Sequence, residues 1–252
     1  MVKTVYFRFY EELNDLLPRE KRKVSFPVAF GDNPSVKSLI EGEGVPHTEV
    51  DLILVNGNPV SFSEKVHHGD QVSVYPVFES FDITTVNASR LKPLREPRFI
   101  LDVHLGKLAR YMRMAGFDTL YDNAYADEEL AAISVAQKRC ILTRDRKLLM
   151  RKDVERGYWI RSMDPAEQMS EVIRRLDLKQ SINLFRRCPQ CNGELEAIAE
   201  AEAMGRLQGY HFLPGTIFSR CKECKHFYWN GSHCKRFSDI IAKILHKNED
   251  LV

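Results

Sequence analysis

Val5, Phe7 and Phe9 alternate with Thr4, Tyr6 and Arg8 near the start of the chain. A two-residue period of this kind predicts a half-buried strand. A second strand is expected near Val24 and Phe26. In PSVKSLIEGEG the period lengthens: Val36, Leu39 and Ile40 fall at helical spacing, Pro34 suits the first helical turn and Gly42 or Gly44 its end. DLILVNGNPV then reads as a strand running into a turn at Asn56-Gly57. HHGDQVSVYPVF closes with a strand through Val72 and Val74. Residues 1–80 are thus expected to form a compact β-rich module. Residues 81–97 read as a linker, broken by Pro93 and Pro97 and made basic by Arg90, Lys92 and Arg95, with Arg98 just beyond.

From residue 98 to 184 the apolar runs alternate in type. Strands are expected at 98–102, 117–121, 140–143 and 158–161, and helices at 104–115, 127–138, 145–152 and 164–176. Alternation at this spacing predicts an α/β domain whose mostly parallel sheet is covered by helices. Residues 185–252 form a third part with little periodicity at first. There SDIIAKILHKNED reads as a short amphipathic helix through Ile240, Ile241, Ile244 and Leu245, with Ser238 as candidate cap.

The chain has 252 residues, enough for one or two domains. Its net charge of +2 is too small to argue for a nucleic-acid partner, so local clustering must carry that case. MVKTVYFRFYEE lacks the apolar core of a signal peptide, and no segment approaches a membrane span. The expectation is a cytoplasmic protein without a membrane partner. In that setting six cysteines read as metal ligands rather than as a disulfide framework.

Three acidic residues stand where strands hand over to helices. RFILD ends at Asp102, DEELAAI opens at Asp127, and CILTRD ends at Asp145. In an open parallel sheet, ligands bind beyond the carboxyl ends of the strands, and hard divalent cations take oxygen ligands. Each aspartate also fits the competing role of helix cap. Glu128 is an alternative to Asp127. Asp164 opens Asp-Pro-Ala-Glu and reads first as a cap, with a metal role as the lesser reading. Asp118 and Asp122 read as solvated loop residues. On the helix after Asp102, Leu105, Leu108, Met112 and Ala115 make the apolar face, and Lys107, Arg110 and Arg113 fall away from it. Arg144, Arg146, Lys147, Arg151 and Arg161 add positive charge further on. Lys107, Arg110, Arg144 and Lys147 are the candidates for holding phosphate. An acidic centre with a basic rim suits metal-dependent phosphodiester cleavage.

Cys188-x-x-Cys191 and Cys221-x-x-Cys224 have the spacing of two zinc knuckles, separated by the 29 residues 192–220. Four thiolates would close the coordination sphere of a structural Zn²⁺. Tyr228 and Trp229, near Lys222, Lys225, Lys235 and Arg236, read either as a small aromatic core or as an RNA-stacking surface, and His233 shares that ambiguity. Cys140 lies in an apolar run and reads as a buried small residue. His67, His68 and His211 show no metal-like pattern.

Two resemblances follow from these residues. The first module, with VNGNPV and then HGDQVSVYPVF, is similar to β-grasp sulfur carriers and other ubiquitin-like domains. Such carriers act through a terminal Gly-Gly. This chain continues there as Glu79-Ser80-Phe81, which argues against a carrier role and leaves an accessory domain that docks a protein partner. The stretches HLGKLARYMR and ILTRDRKLL, with RSMDPAEQM, resemble the Mut-seven C-terminal RNase family, a group of PIN-like domains. That resemblance implies RNA cleavage with Mg²⁺ or Mn²⁺ held by Asp102, Asp127 and Asp145, with Asp164 as candidate for the fourth acidic position. The expected protein is therefore a metal-dependent ribonuclease acting on RNA, tRNA included. The rival readings are a non-catalytic RNA- or tRNA-binding module and a ubiquitin-like adaptor.

Overall fold

The computed structural model describes residues 2–77, 97–207 and 211–247. Most of the expected linker, its Arg90, Lys92, Pro93 and Arg95 included, and the Glu79-Ser80-Phe81 continuation lie outside the described residues. So does the side chain of His233.

The first module is built on β1 (Lys3–Phe9), β2 (Phe26–Phe30), α1 (Val36–Gly42), β3 (Val50–Val55), β4 (Asn58–Val60) and β5 (Gln71–Pro76). Its sheet has the order β2-β1-β5-β3-β4, with β1 and β5 parallel and the other pairs antiparallel. The alternation read in the sequence sends Val5, Phe7 and Phe9 into the core beside Leu13, Val36, Ile40 and Val74. Burial of each such side chain contributes about 2 kcal/mol. Asn56 and Gly57 close the β3–β4 hairpin with φ of 50° and 82°, as a tight two-residue turn demands. Helix α1 is capped by Ser35, whose Oγ accepts from Ser38 N at 3.2 Å. Pro34 therefore precedes the helix and is not in its first turn, because a hydroxyl can serve as a cap and a proline cannot.

Strands and helices then alternate as β6 (Arg98–Leu101), α2 (Gly106–Met114), β7 (Asp118–Tyr121), α3 (Asp127–Gln137), β8 (Cys140–Thr143), α4 (Arg146–Leu149), β9 (Gly157–Trp159) and α5 (Pro165–Arg175). They are followed by β10 (Leu195–Ile198), α6 (Glu200–Arg206), β11 (Phe218–Cys221), β12 (Phe227–Trp229) and α7 (Ser232–Lys247). The chain forms two compact units that interleave along the sequence. One gathers the residues before Pro97 with Asp127–Trp159, and the other gathers Pro97–Ala126 with the chain from Ile160 onward.

In the first unit β8 and β9 pair in parallel. Cys140 is buried, as expected. Helix α4 is one turn long, shorter than the expected 145–152, because Val154 N donates to Arg151 O and turns the chain toward β9.

In the second unit β6 and β7 pair in parallel, and α2 buries Leu105, Leu108, Met112 and Ala115 as its spacing predicts. Gly116, at φ 99°, ends this helix where Asn183 crosses too close for a side chain. Arg113 is buried with the apolar face, contrary to expectation. Asp118 is no solvated loop residue either; it lies in β7, accepts from Asn192 Nδ2 at 2.8 Å and faces Arg187 at 3.7 Å. Strands β10, β11 and β12 make an antiparallel ribbon. Helix α7 begins at Ser232, not near Ser238, because its buried stripe already includes Phe237 before Ile241 and Ile244. Phe237 meets the rings of Tyr111 and Phe185.

Candidate metal centres

Each sequence-predicted aspartate stands at a helix entry. Asp102 follows β6, is buried, and its Oδ1 accepts from Val103 N at 2.6 Å. Asp145 follows β8, and its Oδ1 accepts from Lys147 N at 2.7 Å while its own amide donates to Thr143 Oγ1 at 2.9 Å. Asp164 Oδ1 accepts from Ala166 N at 2.9 Å and Glu167 N at 3.0 Å, with Pro165 opening α5. Asp127 is the exposed first residue of α3. The caps at Asp145 and Asp164 engage Oδ1 alone, and both residues are exposed. A carboxylate capped in this way keeps a second oxygen that a hard cation can take. Glu128, the alternative to Asp127, is engaged by Arg151 at 3.0 Å, and a backbone hydrogen bond at Glu128 together with this contact lowers its pKa.

The basic residues divide sharply. Arg161 pairs with the buried Glu171, which also accepts from Arg161 N at 3.0 Å. Arg151 is shared between Glu128 and Asp153. Arg146 is spent on backbone carbonyls, donating to Leu16 O at 2.9 Å. These three are therefore structural, each held by acceptors of the protein itself. Lys107, Arg110, Arg144 and Lys147 are exposed, and among the described residues none of their side chains forms an ion pair.

The four cysteines come together as their spacing predicts. Their Sγ atoms all lie within 4.8 Å of one another, with Cys188–Cys224 at 3.7 Å and Cys191–Cys221 at 3.4 Å. Sulfurs bound tetrahedrally at about 2.3 Å would be about 3.8 Å apart, so the set fits a zinc ion. The two knuckles repeat one backbone shape. Asn192 N donates to Cys188 O at 3.0 Å and Lys225 N to Cys221 O at 3.1 Å. Asn192 and Lys225, each just past its pair, have φ of 70° and 60°. Burial raises the Cys221 and Cys224 thiols, the latter to about 12. Burial also opposes ionisation of Cys191, but the Gly193 amide and the neighbouring thiols outweigh it and bring that thiol to about 7. Four thiolates this close repel one another, and a dication removes the repulsion.

Residues 97–241 match the family model of the Mut7-C RNAse domain. The chain belongs to the Mut7-C RNase family. Residues 2–82 match Mut7-C ubiquitin, so the ubiquitin-like reading of the first module holds as well. No curated protein and no solved structure matches the chain.

Two supports of the Mut7-C cysteine site were not foreseen. Tyr228 places its hydroxyl 3.0 Å from Cys188 Sγ. Burial and the adjacent sulfur hold that phenol far above its usual pKa, so it stays a donor. Trp229 instead packs edge-on against Phe212, which meets Phe218, so its contacts are those of a small aromatic core. The second support is Arg113. Its Nη1 donates to Pro189 O at 3.2 Å and Gln190 O at 2.8 Å, and its Nε donates to Thr119 O at 2.8 Å. Asn192 reinforces this join, since Thr119 N donates to its Oδ1 at 2.9 Å. The first knuckle is thereby fastened to α2 and β7. Asparagine is at home in the left-handed region, so its place after Cys191 was the one signal the sequence offered. Among the described residues no helix is long and apolar enough to cross a membrane.

Proposed function

We propose that this protein is a divalent-metal-dependent ribonuclease, with Asp102, Asp127, Asp145 and Asp164 as ligands of a catalytic Mg²⁺ or Mn²⁺. The observation that carries the reading is the match of residues 97–241 to the Mut7-C RNAse domain. It is supported by Asp102 and Asp145, which stand at the carboxyl-side exits of β6 and β8, by Asp164 at the entry of α5, and by oxygens that the caps at Asp145 and Asp164 leave unused. When bound, such an ion makes water a stronger nucleophile and offsets charge on the phosphate. Lys107, Arg110, Arg144 and Lys147 would hold the RNA backbone, since contacts to phosphate fix position without reading sequence. The cysteine quartet would hold a structural Zn²⁺. In this reading residues 1–80 are the ubiquitin-like domain, 81–97 the linker, 98–184 the nuclease and 185–252 the ribbon with its helix. Six free thiols suit a cytoplasmic setting.

The test is cleavage of labelled single-stranded and structured RNA, tRNA included, in Mn²⁺, Mg²⁺ or EDTA, with Asp102→Asn and Asp145→Asn alongside. Cleavage that needs the cation and is lost in both variants is the expected result. One observation favours a second reading, a non-catalytic RNA-binding module: three of the four aspartates already serve as caps. RNA binding without cleavage under every metal would establish that reading instead.

A further inference from the structure

The turn Arg144–Asp145–Arg146 is gripped from both sides by residues of its own compact unit. Arg146 Nη1 donates to Leu16 O at 2.9 Å and reaches Gly44 O at 3.5 Å, both in the ubiquitin-like module. Its guanidinium lies 4.5 Å from the centre of the Trp159 ring. Trp159 packs against the apolar core of that module and donates from Nε1 to Arg144 O at 3.2 Å. The backbone amide of Trp159 is held in turn by Glu49 Oε1 at 2.6 Å, a residue only 1% exposed. His47 adds a contact beside them, with Nε2 2.9 Å from Val154 O and Nδ1 2.7 Å from Glu41 Oε1. Asp145 therefore sits between two residues whose positions are set by residues 16–49.

A basic residue next to a catalytic carboxylate would ordinarily be assigned to substrate. Here one guanidinium nitrogen, Nη1, is aimed at two carbonyls and the guanidinium carbon lies over an aromatic ring, and stacking on a ring favours a guanidinium over an ammonium. We infer that the ubiquitin-like module is a built-in positioning element of the nuclease, and that Arg146 is the positioning residue through which its docking sets Asp145. The inference rests on the ribonuclease reading for the role of Asp145. It assigns the module a function in cis, where the sequence suggested only a docking partner in trans.

The test uses the full chain with Arg146→Met, which keeps a long side chain over Trp159, and Arg146→Lys, which keeps the charge. Mn²⁺ affinity is read directly by electron paramagnetic resonance, and amide exchange is followed at residues 145–149 and at Val5 and Phe7. The expected result for Arg146→Met is Mn²⁺ binding weakened about tenfold and exchange at 145–149 accelerated, with Val5 and Phe7 still protected. Saturating Mn²⁺ should restore much of the cleavage rate, and Arg146→Lys should fall between Met and wild type. Unchanged Mn²⁺ affinity and unchanged exchange in Arg146→Met would overturn the inference. The ribonuclease reading fails on a separate result, a wild-type chain that binds RNA and does not cut it.

Discussion

Arg113, buried on α2, donates to the carbonyl of Gln190 inside the first cysteine knuckle at 2.8 Å. Its Nε meanwhile holds Thr119 O on β7 at 2.8 Å. One side chain thus ties together the helix that carries Lys107 and Arg110, a strand of the nuclease sheet, and a loop that holds two candidate zinc ligands. Burial lowers the pKa of this guanidinium, opposed by the nearby Cys188, Cys191 and Asp118, and three carbonyls take its donors. Arg113→Met is expected to destabilise the fold by about 3 kcal/mol, since it leaves buried carbonyls unpaired. Arg113→Lys should recover little, because an ammonium cannot span both directions. Denaturant melts of the two variants measure this.

The same join predicts what metal removal does. Purified protein should carry one zinc per chain, measured by atomic emission. Chelation should release order in β10–β12 and also in β7 and α2, through Arg113 and Asn192. Structural zinc contributes on the order of 10 kcal/mol to small metal-bound folds, so the thermal midpoint should fall markedly. Hydrogen exchange with and without chelator would locate the effect. Protection unchanged at Thr119 and along α2 would show that the ribbon is an independent appendage.

Tyr228 offers a narrower test. Its hydroxyl lies 3.0 Å from Cys188 Sγ, and a hydrogen bond from an outer residue orients a metal ligand and tempers its charge. Tyr228→Phe keeps the ring and removes only that donor. Zinc stoichiometry should be preserved, stability should fall by about 1 kcal/mol, and transfer of zinc to a chromogenic chelator should be about tenfold faster.

The local features of this protein were readable from sequence. Alternation placed Val5, Phe7 and Phe9, Asn56-Gly57 marked a hairpin, and the paired Cys-x-x-Cys spacing marked a metal site. What stayed hidden were the destinations of charged side chains. Arg113 sits at the margin of an apolar stripe, and periodicity alone gives it to solvent. Its partner Gln190 is 77 residues away. Asp118 finds Asn192 across 74 residues, and Arg146 finds Leu16 across 130. Each looked like a solvated charge because a local pattern records which face a residue occupies, and not which backbone carbonyl or amide will come to meet it. The same limit applies to the aspartates, whose capping role is local and legible while the proposed binding of a cation is not.

Lys107 and Arg110 give the last prediction its leverage. Both are exposed on α2 just past Asp102, whereas Arg113 on the same helix is buried. If the exposed pair hold RNA phosphates, their loss should weaken binding to all sequences alike. Each contact removed should reduce the slope of log affinity against log salt by about 0.7 for single-stranded RNA. Lys107→Ala with Arg110→Ala should therefore reduce that slope by about 1.4 and leave the melting temperature within a few degrees of wild type. Arg151→Ala removes a charge that is already shared by Glu128 and Asp153, and it should leave the slope unchanged. Fluorescence anisotropy of labelled RNA titrated over a range of salt would compare them. Equal slopes for the double variant and the wild type would remove α2 from the RNA path and leave Arg144 and Lys147 to carry the phosphate contacts.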